Sequence, residues 1–122
     1  MTKEAVLYQF WNSFGLPAYE ESSVPDNPPQ QYITYECATS NWGEQVALSA
    51  NIWFKNTQSW TGINAKAREI AALLGYGGIN ILCDNGSVTL RQGTPFARNG
   101  EDDNGNTKQK YINITAEYNT EL

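Results

Sequence analysis

Between residues 46 and 54 the chain alternates without a break. Val46, Leu48, Ala50, Ile52 and Phe54 are apolar, and Ala47, Ser49, Asn51 and Trp53 stand between them. Successive side chains of a strand point to opposite faces, so this segment has one core face and one different face. A lone strand of this kind is not stable in water. It needs partner strands beside it and a cover over its apolar side.

The partners are also visible. Residues 32–39 alternate, with Ile33, Tyr35 and Cys37 facing one way and Tyr32, Thr34 and Glu36 the other. Residues 40–43 form a turn that contains Trp42, so the two segments read as antiparallel neighbours. Residues 111–118 alternate again, with Ile112, Ile114, Ala116 and Tyr118 on one side. Residues 79–83 and 87–92 flank Asp84-Asn85-Gly86, a strong hairpin signal because Asn and Gly tolerate positive φ.

The cover comes from two helical patterns. Residues 2–14 place Val6, Leu7, Phe10, Trp11 and Phe14 on one stripe, followed by Gly15 as a stop and Pro17 as a breaker. A second helix runs from a Ser59 cap to about Leu74, with Ile63, Ala67, Ile70, Ala71 and Leu74 on its stripe and Lys66, Arg68 and Glu69 off it. Residues 16–31 hold Pro17, Pro25, Pro28 and Pro29 and form a loop, with room for a short edge strand at 18–22. The order is α-β-β-β-α-β-β-β. It predicts an α+β fold: a mainly antiparallel sheet with two helices packed on one face, a β-hairpin, and a long polar loop at 93–107. The 122 residues make one domain, with no internal repeat.

Composition narrows the chemistry. There is no histidine, which removes the commonest general base, the commonest metal ligand and every His-based triad. The net charge is −5 and the eight Lys and Arg are scattered in sequence, which argues against phosphate-driven nucleic-acid binding. An acidic surface instead keeps DNA from adhering. Cys37 and Cys83 lie in strand-like segments and read as small thiols packed inside, not as a disulfide. No apolar run reaches the ~18 residues of a spanning helix. No secretion signal is visible, which points to the cytoplasm or to a particle assembled there.

Each motif that suggests chemistry has a plainer explanation. Residues 99–106 resemble a calcium loop, but alignment on Gly105 puts Gly100 and Tyr111 where the first and last ligands belong. Gly75-Tyr76-Gly77-Gly78 follows a helix instead of preceding one, so it is a helix stop and not a phosphate loop. The carboxylates Glu20-Glu21 and Glu101, Asp102 and Asp103 lie in loops without an apolar frame to raise a pKa. The two Asn-X-Ser/Thr matches, at Asn85 and Asn113, are chance matches without a secretion signal. Catalysis, a cofactor and a metal are therefore not expected. What remains is surface. Trp42, Trp53, Trp60, Phe96, Arg98, Glu101, Asp102 and Asp103 are the candidate subunit or partner contacts, with Trp53 on a face of small residues.

Four segments carry a resemblance: PPQQYITYE at 28–36, VALSANIWFKNT at 46–57, INAKAREIAALL at 63–74 and YINITAEY at 111–118. With the N-terminal helix and Pro-rich loop, the chain resembles the tail completion, or tail terminator, proteins of long-tailed bacteriophages over nearly its whole length. The resemblance implies a homo-oligomeric, hexameric ring at the head-proximal end of the tail tube. The ring would end tube polymerisation, meet the tube protein on one side and the neck or head-completion protein on the other, and let DNA pass without specific binding. It implies a virion location, assembly in the host cytoplasm and no membrane partner. Two alternatives stay open: another neck or head-closure ring protein, and a carbohydrate- or small-ligand-binding module built on Trp42, Trp53 and Trp60.

Overall fold

A computed structural model describes residues 1–55, 59–100 and 107–120. The fold is α+β. Six strands form one sheet in the order β1-β2-β3-β6-β5-β4, and only β1 and β2 run parallel. The strands are β1 (Ala18–Glu20), β2 (Gln31–Tyr35), β3 (Glu44–Lys55), β4 (Ile79–Cys83), β5 (Gly86–Asn99) and β6 (Thr107–Asn119). The helices are α1 (Lys3–Trp11), which tightens into a 3₁₀ turn at Asn12–Phe14, and α2 (Trp60–Leu74).

The helix ends follow from local chemistry. The Thr2 hydroxyl accepts from the Ala5 N–H at 3.1 Å, and the Ser59 hydroxyl accepts from Gly62 at 3.3 Å, each satisfying a donor that has no partner within its helix. Gly15, at φ 79°, ends the first unit. At the other end of α2 the Gln92 side chain donates to the carbonyls of Ala71 and Gly75, at 3.1 and 3.2 Å. Strand β5 thereby caps the helix C-terminus.

Both helices lie on one face of the sheet. Leu48, Ala50, Ile52 and Phe54 of β3 and Ile112, Ile114, Ala116 and Tyr118 of β6 are buried with Val6, Leu7, Phe10 and Trp11 of α1 and Ile63, Ala67, Ile70 and Leu74 of α2. Each large side chain buried in this way contributes about 1.5–3 kcal/mol relative to exposure. Trp11 is fully buried, stacks on Tyr35 at 6.4 Å and meets Phe10 edge-on at 4.8 Å.

The sheet curls strongly. Helix α1 touches both β1 and β4, the two edge strands. The Met1 amine meets Asp84 at 2.6 Å, and the Asp84 N–H donates to the Met1 carbonyl at 2.6 Å. One amphipathic helix thus closes the gap between the sheet's two edges.

One segment differs from expectation. Of the loop expected at residues 93–107, residues 93–99 are strand instead, since β5 runs on to Asn99, and β6 begins at Thr107. The register breaks between Gln92 and Ala97, and the bulge takes up Gly93, the cis-linked Thr94-Pro95 and Phe96. Gly93 sits hard against the Asn113 backbone, and the Asn113 amide donates to the Pro95 carbonyl at 3.0 Å. A bulge interrupts the alternation that marks a strand, so the second half of β5 reads as loop. Cys37 and Cys83 are half-buried free thiols packed against the core.

Candidate functional site

The face of the sheet away from the helices carries two of the candidate contacts, Trp53 and Arg98. Cross-strand pairing sets them in two rows near the end where β3 finishes. One row is Gln109, Trp53 and Tyr32; the other is Arg98, Tyr111, Asn51, Thr34 and Tyr19. The expected assignment of Trp53 to the face opposite Leu48, Ala50, Ile52 and Phe54 is what the register shows.

The side chains in these rows hold one another in place. Trp53 stacks on Tyr32 with ring centroids 6.2 Å apart and planes at 15°, and Tyr32 meets Tyr19 at 6.2 Å, tilted 61°. The Trp53 indole N–H donates to the Thr34 hydroxyl at 2.9 Å, and the Gln109 amide donates to Asn51 at 3.0 Å. Arg98 lies over the Tyr111 ring at 4.3 Å, a cation–π contact of about 0.5–1 kcal/mol at an exposed site. Thr34 and Gln109 are buried although they lie on the outer face. The result is a firm, amphipathic patch whose rings have already lost their rotational freedom. Such groups bind a partner with little further entropic cost. Burial pushes the Tyr32 hydroxyl pKa up.

The other predicted contacts are spread around the molecule. Trp42 is 66 % exposed in the turn before β3, at φ 41°, with its backbone N–H donating to the Thr120 carbonyl at 3.0 Å. It therefore stands at the opposite end of β3 from Trp53, about 30 Å away at the rise of a strand. Trp60 opens α2, with the Lys108 ammonium 5.9 Å from its ring. No ring contact joins Trp42, Trp53 and Trp60 among the described residues. Phe96 faces the helix side, in a groove with Ala67, Ala71 and Ala97. Glu101, Asp102 and Asp103, with most of the calcium-like segment, lie outside the described residues.

Residues not singled out beforehand complete the picture. Tyr19, Tyr32 and Tyr111 belong to the outer patch, and the alternation of 32–36 had already turned Tyr32 outward. Arg68 and Lys110 line the Phe96 groove, which has a volume of about 270 Å³. Lys110 donates to Asn64 at 2.7 Å and to Asn99 at 2.9 Å, and burial, with the Arg68 charge beside it, pulls its pKa down. No helix among the described residues is long and apolar enough to cross a membrane. No family model, curated protein or solved structure matches the chain.

Proposed function

We propose that this chain is a structural ring subunit of the tail-terminator kind. It would stand at the head-proximal end of a phage tail tube, stop the tube's growth and join it to the neck. Assembly and fit to neighbouring rings would be its whole activity. The observation that carries this reading is the outer sheet face, where Tyr19, Tyr32, Trp53, Tyr111 and Arg98 form one ordered amphipathic patch on paired strands. Aromatic side chains and arginine are the residues enriched in protein interfaces, and immobilised ones are the better anchors.

The same geometry weighs against the ligand-binding alternative. Trp53 already uses its N–H on Thr34 and one ring face on Tyr32, and Trp42 stands at the other end of the strand. A sugar site would need convergent free faces and donors around one cleft.

Mass photometry and cryo-EM of the purified chain, alone and with tail tubes, test the proposal. Closed rings, and rings seated on tube ends that halt elongation, are expected. A persistent monomer whose tryptophan fluorescence is quenched by oligosaccharides would overturn it.

A further inference from the structure

Among the described residues, charge is sorted along the strands. At the end where β3 finishes lie Lys55, Lys108 and Lys110, with Arg98 across from Tyr111 and Arg68 beside Lys110. These are five of the chain's eight Lys and Arg. At the end where β3 begins lie Glu44, Glu117 beside Gln45's position, Asp84 in the β4–β5 turn and Glu4 in the first turn of α1. Glu20 and Glu21 leave β1 in that direction. The cations of the acidic end are already engaged: the Met1 amine with Asp84, Arg91 with Glu117 at 2.9 Å, and Lys3 with the Ser40 carbonyl at 2.9 Å. Glu4, Glu21 and Glu44 are exposed there, without a cation partner among the described residues. At the basic end, Arg68 and Lys110 have no carboxylate partner among the described residues. Lys110 is held by two amide oxygens, above a groove lined by Ala67, Ala71, Phe96 and Ala97.

We infer that copies of this chain associate head to tail, with acidic side chains from the β3-start end of one copy entering the Arg68–Lys110 groove of the next. This deepens the ring reading and rests on it. An end-to-end two-fold pairing would set like charge against like. Unlike ends of one molecule meet end to end only in a heterologous contact, and such contacts close into rings when the rotation permits. Burial and the neighbouring Arg68 charge lower the pKa of Lys110, in agreement with an ammonium that has no carboxylate partner among the described residues. Exposed charges are screened over about 10 Å at 0.1 M salt, so the contact weakens with salt.

Sedimentation velocity on the intact chain, at low and high salt, reads the association. R68E/K110E and, separately, E21K/E44K are each expected to weaken it by about tenfold or more, with circular dichroism unchanged. Mixing the two reversed variants is expected to restore it, because an all-acidic copy then meets an all-basic one. The milder R68Q/K110Q reports the same loss if the reversal unfolds the chain. Reversed variants that assemble like the original overturn this inference and leave the ring reading standing. A chain that stays monomeric at every concentration and salt overturns both. Loss of assembly on E101Q/D102N/D103N, with E21K/E44K assembling normally, moves the counter-charges elsewhere and also overturns the inference.

Discussion

The Tyr118 hydroxyl donates a 2.7 Å hydrogen bond to the Ala38 carbonyl, eighty residues away in the chain. Tyr118 is fully buried, and its own carbonyl accepts from the Gly43 N–H at 2.7 Å. One residue of β6 therefore holds both ends of the excursion between β2 and β3 and keeps the acidic end of the sheet in shape.

Tyr118→Phe keeps the ring and removes the donor. The Ala38 carbonyl is left to find another partner, at a cost of about 1 kcal/mol. A Tm lower by a few degrees in calorimetry is expected. No change in Tm would mean that water replaces the hydroxyl.

Alkaline pH should destabilise the fold. Burial raises the pKa values of Tyr118, Tyr35 and Cys37, with the Glu4 and Glu20 carboxylates adding to the effect at Cys37. The unfolded chain then loses these protons at lower pH than the folded one. Stability is full below the unfolded pKa values, about 8.5 for Cys and 10 for Tyr, and falls as pH rises through the folded values. Urea midpoints measured from neutral pH upward should drop above about pH 9, and Tyr118→Phe should flatten that drop.

Two neighbouring glycines should answer differently to alanine. Gly78 has φ 80°, and a Cβ there would run into the Leu90 carbonyl oxygen and the Arg91 side chain. Gly77 has open space around it and an ordinary φ. Gly78→Ala should cost more than about 1 kcal/mol, whereas Gly77→Ala should be neutral or stabilise by up to about 1 kcal/mol. Equal urea midpoints for the two variants would contradict the close approach of β4's entry to β5.

Trp53→Ala tests the outer face. Removing the indole frees Thr34 and unstacks Tyr32 but leaves the helix-side core intact. The monomer should stay folded, with a stability loss of about 1–2 kcal/mol from the lost stacking and burial. Assembly seen by mass photometry should fall by about tenfold or more. Normal assembly would exclude this patch from the subunit contact.

Much of the architecture was legible in particular residues. The stripes Val6–Leu7–Phe10–Trp11–Phe14 and Ile63–Ala67–Ile70–Ala71–Leu74 repeat at helical spacing, and all of these side chains are buried except Ala71, which is half-buried. Asn85, at φ 61°, sits in the hairpin turn its sequence announced. The second half of β5 was not legible, because Gly93 and Pro95 interrupt the alternation and only pairing with β6 continues the strand. The site was legible in part. Trp53 could be assigned to a face, but its partners Tyr32 and Tyr19 come from strands whose neighbours no local pattern names.

Apart from the second half of β5, the amino-acid sequence by itself determined which segments are helix and strand and which side of each is apolar, because those properties repeat within a few residues. Only the tertiary structure decided the strand order, the parallel edge β1, the curl that lets α1 touch both edges, and the gathering of Arg68, Arg98, Lys108 and Lys110 at one end. These depend on register between segments far apart in the chain. Register is set by how whole faces pack and by which pairings leave no backbone group unsatisfied. Charges scattered along the sequence become sorted in space for that reason.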